Sequence, residues 1–206
     1  QVLDIDRTRS AEVTVDGGTM VGDLFQVMES LAVAIEGGDM AQIDFEASNP
    51  GRASLQSLER VGKGTAIANE IFSLVGRSLF FAEFSREDIS ILSGYMDVYR
   101  AQAGETIIRE NEGGDFMLLV IEGSVDIFKR GMRSGQQHMT SVGPGMTLGE
   151  MSMSDGEPRF ATCVAAERCM IAVLTRESLA RIILEQPILG AKILMEPSTT
   201  DYGEDY

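Results

Sequence analysis

The sequence predicts an α+β protein in which a β-sandwich or jelly-roll β-barrel is flanked by helices, with a mainly helical extension at the amino terminus. Between residues 97 and 175, seven or eight short segments rich in β-branched and aromatic residues are separated by glycine-bearing turns. Segments with apolar residues three and four apart precede and follow them. The chain has 206 residues, 44% of them apolar, which suffices for one domain with extra elements or for two small domains.

The amino-terminal part is predicted to begin with a short strand and to continue as a helix. The alternating stretch "AEVTVDGG" suits a strand that ends at Gly17 and Gly18. After the helix described below, residues 39–54, "DMAQIDFEASNPGRAS", are predicted to be extended and to end in a turn. Residues 54–76 again have a helical pattern, with a break at their glycines. Between the strand and the extended stretch, a helix is predicted whose one face contains the apolar residues Leu24, Val27, Met28, Leu31 and Ile35.

Helices are also predicted on both sides of the strands. Ser85 is a suitable cap for "REDISILSGYM", because its hydroxyl accepts hydrogen bonds from amides that are unpaired at a helix start. After the strands, Leu179 and Ile182 lie on one face of a further helix that Pro187 ends or kinks. "ILGAKILM" is predicted to form one more short helix. We therefore divide the chain into an extension of unknown role (1–65), a domain (66–196) and an acidic tail (197–206).

Composition and charge exclude several classes of function. The 17 basic and 32 acidic residues give a net charge of −15, which repels nucleic-acid phosphates and anionic lipid. No apolar stretch reaches the roughly 18 residues that span a bilayer, and the first residues lack the pattern of a signal peptide. We expect a cytoplasmic protein without a nucleic-acid or membrane partner. Because the first residue is Gln1 rather than Met, we also expect a piece of a longer or processed product.

The stretch "GEMSMSDGEPRFATC", residues 149–163, has the groups that a phosphorylated sugar requires. Gly149 allows close approach of the backbone because it has no side chain, and the residues after it can form a helical turn whose amides point at an anion. Arg159 can donate a forked pair of hydrogen bonds to a phosphate. Glu150 can accept a hydrogen bond from a ribose hydroxyl. These residue types predict a site for a phosphorylated sugar.

The same stretch resembles the phosphate-binding cassette of the cyclic nucleotide-binding domain family. Its spacing fits the family pattern Gly-Glu-x-Ala-Leu, x, x, Gly, x, Pro-Arg-x-Ala-Thr without a gap, with Ser152 in place of the alanine. Residues 103–128, "AGETIIRENEGGDFMLLVIEGSVDIF", are similar to the first strands of that family, with turn glycines at Gly104, Gly114 and Gly123. "SLFFAEFSREDISILSGYM" resembles the helical entry to the same domain. The resemblance covers about residues 71–195.

The resemblance implies a regulatory sensor and not an enzyme. Binding of a cyclic nucleotide, with cAMP expected and cGMP or another one open, moves the flanking helices and regulates an effector protein or fused domain. Arg159 pairs with the cyclic phosphate, and Glu150 accepts from the ribose 2′-hydroxyl. No catalytic residue, metal or cofactor is implied. The implied ligand-binding residues are Gly149, Glu150, Met151, Ser152, Arg159, Phe160, Ala161 and Thr162.

The sequence departs from the family at positions that leave alternatives open. Phe160 stands where members that bind cAMP tend to have alanine and members that bind cGMP tend to have threonine, and its ring can stack on a base, crowd it or turn into the β-roll. The helical signal stops near Pro197, so a closing helix is missing or supplied by another chain. A homo-oligomer through the amino-terminal helices is open. The alternative function is a scaffold that retains the β-roll, binds no nucleotide and docks a protein partner.

Overall fold

A computed structural model describes residues 53–74, 83–131, 135–150, 152 and 158–195. The predicted strand and helix before residue 53, the oligomer contact through those helices, and the acidic tail lie outside the described residues. The first described elements are α1 (Ala53–Gln56), β1 (Glu59–Lys63), a 3₁₀-helix (Gly64–Ile67), α2 (Ala68–Leu74) and α3 (Arg86–Tyr95).

Strands occupy the part of the chain where the sequence predicts them. They are β2 (Asp97–Ala101), β3 (Thr106–Ile108), β4 (Phe116–Glu122), β5 (Val125–Gly131), β6 (Gly135–Val142), β7 (Thr147–Leu148), β8 (Thr162–Ala165) and β9 (Cys169–Thr175). The helices α4 (Arg176–Glu185) and α5 (Pro187–Met195) come after them. The predicted series of strands with helices before and after it is confirmed.

The strands form two antiparallel sheets that enclose a common core. The first sheet has the order β1-β2-β9-β4-β7, and the second has the order β3-β8-β5-β6. Apolar side chains from both sheets fill the space between them, among them Ala101, Ile107, Phe116, Leu118, Val120, Val125, Ile127, Cys163, Ile171 and Val173. This is the jelly-roll barrel that the sequence predicts.

The first sheet is the middle of three layers. Along β4, Phe116 and Leu118 belong to the core between the sheets, whereas Met117 and Leu119 belong to a second apolar cluster. That cluster joins the outer face of the sheet to the helices, through Ile71, Ile89, Leu92, Leu179, Ile182, Leu189 and Ile193. A strand buried on both faces has a continuous apolar sequence, as "FMLLVI" does.

The helix predicted over residues 54–76 is wrong at its centre, because Glu59–Lys63 is strand β1. This strand pairs with β2, where Glu59 lies opposite Arg100 and Lys63 opposite Asp97. Both pairs are ion pairs with N–O distances of 2.9 Å. Long-range pairing with complementary charge overrides the local helical pattern. Buried Leu55 and Leu58, on either side of the end of α1, pack into the core of the barrel.

The predicted Ser85 cap agrees with the structure. Ser85 accepts a hydrogen bond from the Asp88 amide, while the Asp88 carboxylate accepts one from the Ser85 amide, which is a capping box. At α4, the Thr175 hydroxyl accepts a hydrogen bond from the Ser178 amide. Pro187 stands at the first position of α5, where its missing N–H has no helical partner to lose. The proline therefore separates two helices.

Candidate functional site

The cassette connects the two sheets at one end of the barrel. It begins directly after β7, the edge strand of the first sheet, whose Leu148 pairs with Leu118 of β4. It ends in β8, which lies inside the second sheet between β3 and β5. Because both ends belong to paired strands, residues close to them are fixed relative to the barrel. Met151 and residues 153–157, in the middle of the cassette, lie outside the described residues.

Arg159 is the buried cation of the site, with 3% of its surface exposed. Its Nη1 donates a hydrogen bond to the carbonyl oxygen of Gly149 at 2.9 Å, and its Nη2 donates one to the carbonyl oxygen of Phe116 at 2.7 Å. The guanidinium carbon also lies 4.3 Å from the centre of the Phe116 ring. These contacts fix the plane of the guanidinium, and the two carbonyl oxygens are neutral acceptors that do not cancel its charge.

Two glycines allow the backbone to approach this guanidinium. Gly149 has φ of +82°, and a Cβ placed on it would overlap Nη1 of Arg159. A Cβ on Gly114 would lie 2.6 Å from Nε of Arg159 and 2.6 Å from Cβ of Ser152. Residues with side chains cannot occupy either position without displacing the arginine.

Glu150 and Ser152 begin the helical part of the cassette and are both buried. The Ser152 carbonyl oxygen accepts a hydrogen bond from Nη2 of Arg176 at 3.0 Å, and the Arg176 amide donates to the carbonyl oxygen of Asp115 at 2.7 Å. Arg176 is the first residue of α4. The cassette is therefore in direct contact with the helices on the carboxyl side of the barrel.

The loop between β3 and β4 supports the Arg159 backbone. The Arg159 amide donates a hydrogen bond to the carbonyl oxygen of Glu112 at 2.8 Å, and the Asn111 amide donates to the carbonyl oxygen of Arg159 at 2.9 Å. Next to it, the Thr162 hydroxyl accepts a hydrogen bond from the Glu110 amide at 3.1 Å. This loop therefore holds the Arg159 backbone in position, whereas Gly149 contacts the Arg159 guanidinium.

Phe160 lies on the outside of the barrel, with 40% of its surface exposed. Nζ of Lys129 lies 3.9 Å from the centre of its ring and also donates a hydrogen bond to its carbonyl oxygen. Of the placements that the sequence leaves open, a ring turned into the β-roll is therefore not observed. The next residue, Ala161, is buried in the core between the sheets.

The cysteine beneath the cassette is chemically inert. Burial raises the pKa of the Cys163 thiol to about 12, while Arg159 acts to lower it and Glu150 to raise it further. A thiol with this pKa is neutral at physiological pH and is a poor nucleophile.

Other kinds of site find little support in the described part of the chain. It contains no group of three or more His, Cys, Asp or Glu residues placed to hold a metal ion. None of its helices combines the length and hydropathy that crossing a bilayer requires. A surface cleft of about 280 Å³ lies beside α1 and includes Ser54, Glu105, Arg109 and Glu112, but no cassette residue.

The structure places Gly149 and Ser152 close to Arg159 or its neighbour Gly114, buries Glu150, Ala161 and Thr162, and leaves Phe160 exposed. Sequence reasoning missed the supporting residues, which are Phe116, Lys129 and Arg176. They come from β4, β5 and α4, and no spacing in the sequence connects them to the cassette. An apolar strand start, a strand lysine and a helix-start arginine are common features that carry no signal alone.

Comparisons with known proteins agree with this geometry. A profile of the family described as cyclic nucleotide-binding domain matches residues 98–186. A solved cyclic nucleotide-binding domain from Methylobacillus flagellatus KT is 35% identical to this chain, with a TM-score of 0.64. The match covers 70% of this chain and 81% of the solved chain.

Two curated relatives have cAMP in their names. The cAMP-dependent protein kinase regulatory subunit of Eremothecium gossypii is 29% identical over 54% of this chain and 23% of the relative. The cyclic AMP receptor protein of Thermus thermophilus is 27% identical over 55% of this chain and 52% of the relative. The chain spans about a quarter of the length of the first two kinase regulatory subunits that it matches.

Proposed function

The chain belongs to the cyclic nucleotide-binding domain family, and from this premise we propose that it binds a cyclic nucleotide, foremost cAMP, at residues 149–162. The observation that carries the proposal is the buried guanidinium of Arg159, held against the backbone of Gly149. The names of the relatives put cAMP first. Binding of cGMP or another cyclic nucleotide at the same site remains within the proposal.

Each group of the ligand has a proposed partner. Arg159 pairs with the cyclic phosphate, because a charge-assisted hydrogen bond to an anion is stronger than one to a carbonyl. Glu150 accepts a hydrogen bond from the ribose 2′-hydroxyl. The backbone at Gly149 and Ala161 completes the phosphate site, and the base lies toward Phe160. The remaining proposed ligand-binding residues are Met151, Ser152 and Thr162.

The site serves regulation in this proposal, with no reaction catalysed and no cofactor required. The hydrogen bond from Arg176 to Ser152 supports it, because it connects the cassette to the first turn of α4. A ligand that shifts the cassette therefore shifts a helix, and an effector protein or fused domain responds to that helix. The absence of nucleic-acid and membrane partners, the cytoplasmic location and the division at residues 65 and 196 stay predictions.

The alternative function, a scaffold that binds no nucleotide, gains no support from the described residues. A Phe160 ring that filled the pocket would favour it, and the ring is instead exposed beside Lys129. The amino-terminal helix face that would dock a partner lies outside the described residues.

Titration calorimetry on the full chain tests the proposed function. We expect cAMP to release or absorb heat with a saturable isotherm, and Arg159→Met to weaken binding by about 1.5 to 3 kcal/mol, because one charge-assisted interaction is lost. Arg181→Met is the matched control, since Arg181 is an exposed arginine of α4 that pairs with Glu185. Absence of heat with cAMP, cGMP and a cyclic dinucleotide at millimolar concentration contradicts the proposal, as does unchanged affinity in Arg159→Met.

A further inference from the structure

An exposed aromatic ring stands beside the buried cation of the cassette. Among the described residues, the large apolar side chains with substantial exposure are Val61, Phe160, Leu184 and Ile188. Phe160 is the aromatic one of these, and it directly follows Arg159 in the chain. Phe160 is therefore an exposed aromatic surface next in the chain to the residue that is proposed to bind the phosphate.

Lys129 fixes the position of this ring. Pairing of β5 with β8 sets Phe128 opposite Thr162, which brings the following residue, Lys129, beside the segment that enters β8. Its Nζ lies 3.9 Å from the centre of the Phe160 ring, donates to the Phe160 carbonyl oxygen and lies 3.1 Å from Oε1 of Glu110. An ammonium placed over a ring face is attracted by the ring quadrupole. The ring and its own backbone are thus held by one side chain.

We propose that Lys129 holds Phe160 as a stacking platform for a purine base, so that the site binds cyclic purine nucleotides in preference to cyclic pyrimidine nucleotides. This inference rests on the proposed function of the cassette. A phenyl ring stacks on the π-face of any base, and a purine offers the larger face. Because the ring has no hydrogen-bond donor or acceptor, it does not distinguish the edge of adenine from that of guanine.

Lys129 is a positioning residue in this arrangement, since it acts through Phe160. Its stem and charge keep the ring on the outside of the barrel, where a base can reach it. The carboxylate of Glu110, with 11% of its side chain exposed, also pairs with the ammonium. Burial raises the pKa of the Glu110 carboxyl, but hydrogen bonds from the Arg130 amide and from Lys129 leave it below its ordinary value.

The test is a comparison of the dissociation constants of cAMP, cGMP and cCMP on the full chain. For the wild type we expect cAMP and cGMP to bind within about tenfold of each other, and both to bind more tightly than cCMP. We expect Phe160→Ala to weaken both purine nucleotides by about 5- to 150-fold and to narrow the gap between purine and pyrimidine. Phe160→Leu keeps an apolar side chain without a π-face, so it should resemble the alanine variant in this ratio.

Variants of Lys129 test the positioning role by the same ratio. Lys129→Met removes the charge and keeps the stem, and we expect it to narrow the purine-to-pyrimidine gap in the same direction as Phe160→Ala. Lys129→Arg retains a cation over the ring and should restore the gap. Lys63→Met, which changes an exposed lysine of β1, is the control for the loss of one positive charge.

The outcomes separate the inference from the function on which it rests. If the wild type binds none of the three nucleotides, the proposed function and this inference both fail. If the wild type binds but Phe160→Ala leaves the purine-to-pyrimidine ratio unchanged, only the stacking platform is overturned. If the preference for purine over pyrimidine nucleotides, measured as the ratio of their dissociation constants, falls in Phe160→Ala but persists in Lys129→Met, the positioning role of Lys129 is overturned. Circular dichroism at the binding temperature identifies any variant that fails to fold, and Phe160→Leu and Lys129→Arg then carry the test.

Discussion

Arg159 already has acceptors in the described fold, and this sets the strength that ligand binding can reach. Its guanidinium donates to the carbonyl oxygens of Gly149 and Phe116. If either donor turns toward a phosphate, a buried carbonyl gives up its hydrogen bond, so the measured affinity is a difference between two sets of interactions. A phosphate carries a full negative charge and the carbonyl oxygens carry none, so the ion pair with Arg159 is the stronger interaction and favours the bound arrangement.

A substitution at Gly149 tests whether the close approach of the backbone to the Arg159 guanidinium matters. We expect Gly149→Ala to abolish measurable cAMP binding and to lower stability by more than about 1 kcal/mol, because it adds a strained positive φ to an overlap with Nη1 of Arg159. Gly104→Ala is the matched control, since Gly104 has φ of +86° and a Cβ on it would meet nothing within 4 Å. Urea unfolding and calorimetry on both variants give the comparison. Equal cAMP affinity in the two variants would show that the overlap is unimportant.

At the scale of elements, α3 is attached to the last two helices at both of its ends. Near its end, the Tyr95 hydroxyl donates to the Glu185 carboxylate of α4 at 2.5 Å. Near its start, Asp88 forms an ion pair with Lys192 of α5 at 2.6 Å. The junction of α4 and α5 lies between these contacts, at Gln186. The placement of α5 therefore depends on polar contacts with α3 as well as on apolar packing.

The Asp88–Lys192 pair predicts a pH-dependent contribution to stability. Partial burial raises the pKa of the Asp88 carboxyl, but hydrogen bonds from Lys192 and from Ser85 outweigh it, so the pKa lies below its ordinary value. The contribution is therefore complete above the unfolded pKa of about 3.9 and is lost as pH falls through the lower folded pKa. We expect Asp88→Asn to lower the free energy of unfolding by about 0.5 to 1 kcal/mol at pH 7 and by less at low pH.

Glu87→Gln is the control for this prediction, because Glu87 is an exposed acid in the same first helical turn. Both variants remove a negative charge from the start of α3, and only Asp88→Asn also removes the ion pair with Lys192 and alters the capping box with Ser85. Urea unfolding at pH 7 and at low pH separates the two effects. A difference between the variants that is the same at both pH values would contradict the assigned titration.

The elements also differ in how far the sequence determines them. The Ser85 cap, the apolar run of β4 and the break at Pro187 are local signals, and each predicts its element correctly. Strand β1 escapes prediction because it pairs with β2, which is far away in the chain. The direction of the Phe160 ring escapes for the same reason, since Lys129 on another strand determines it.

For the whole molecule, the first sheet joins the site to the helices. Its strand β4 presents Phe116 to Arg159 at the cassette and packs Met117 and Leu119 against the helical layer. On the other side, Arg176 connects the cassette to α4. Packed side chains and a hydrogen bond therefore connect the cassette to the helices, and we propose that ligand binding reaches the helices through these contacts. We propose that an effector protein or a fused domain responds to the movement of these helices.

A crystal structure of the full chain with cAMP is the most direct test of the site. We predict that the cyclic phosphate lies within hydrogen-bonding distance, about 3 Å, of the Arg159 guanidinium, with the ribose 2′-hydroxyl donating to Glu150 and the base over Phe160. A nucleotide bound elsewhere, or an Arg159 that keeps its bonds to Gly149 and Phe116 while the cassette stays empty at saturating cAMP, would contradict it.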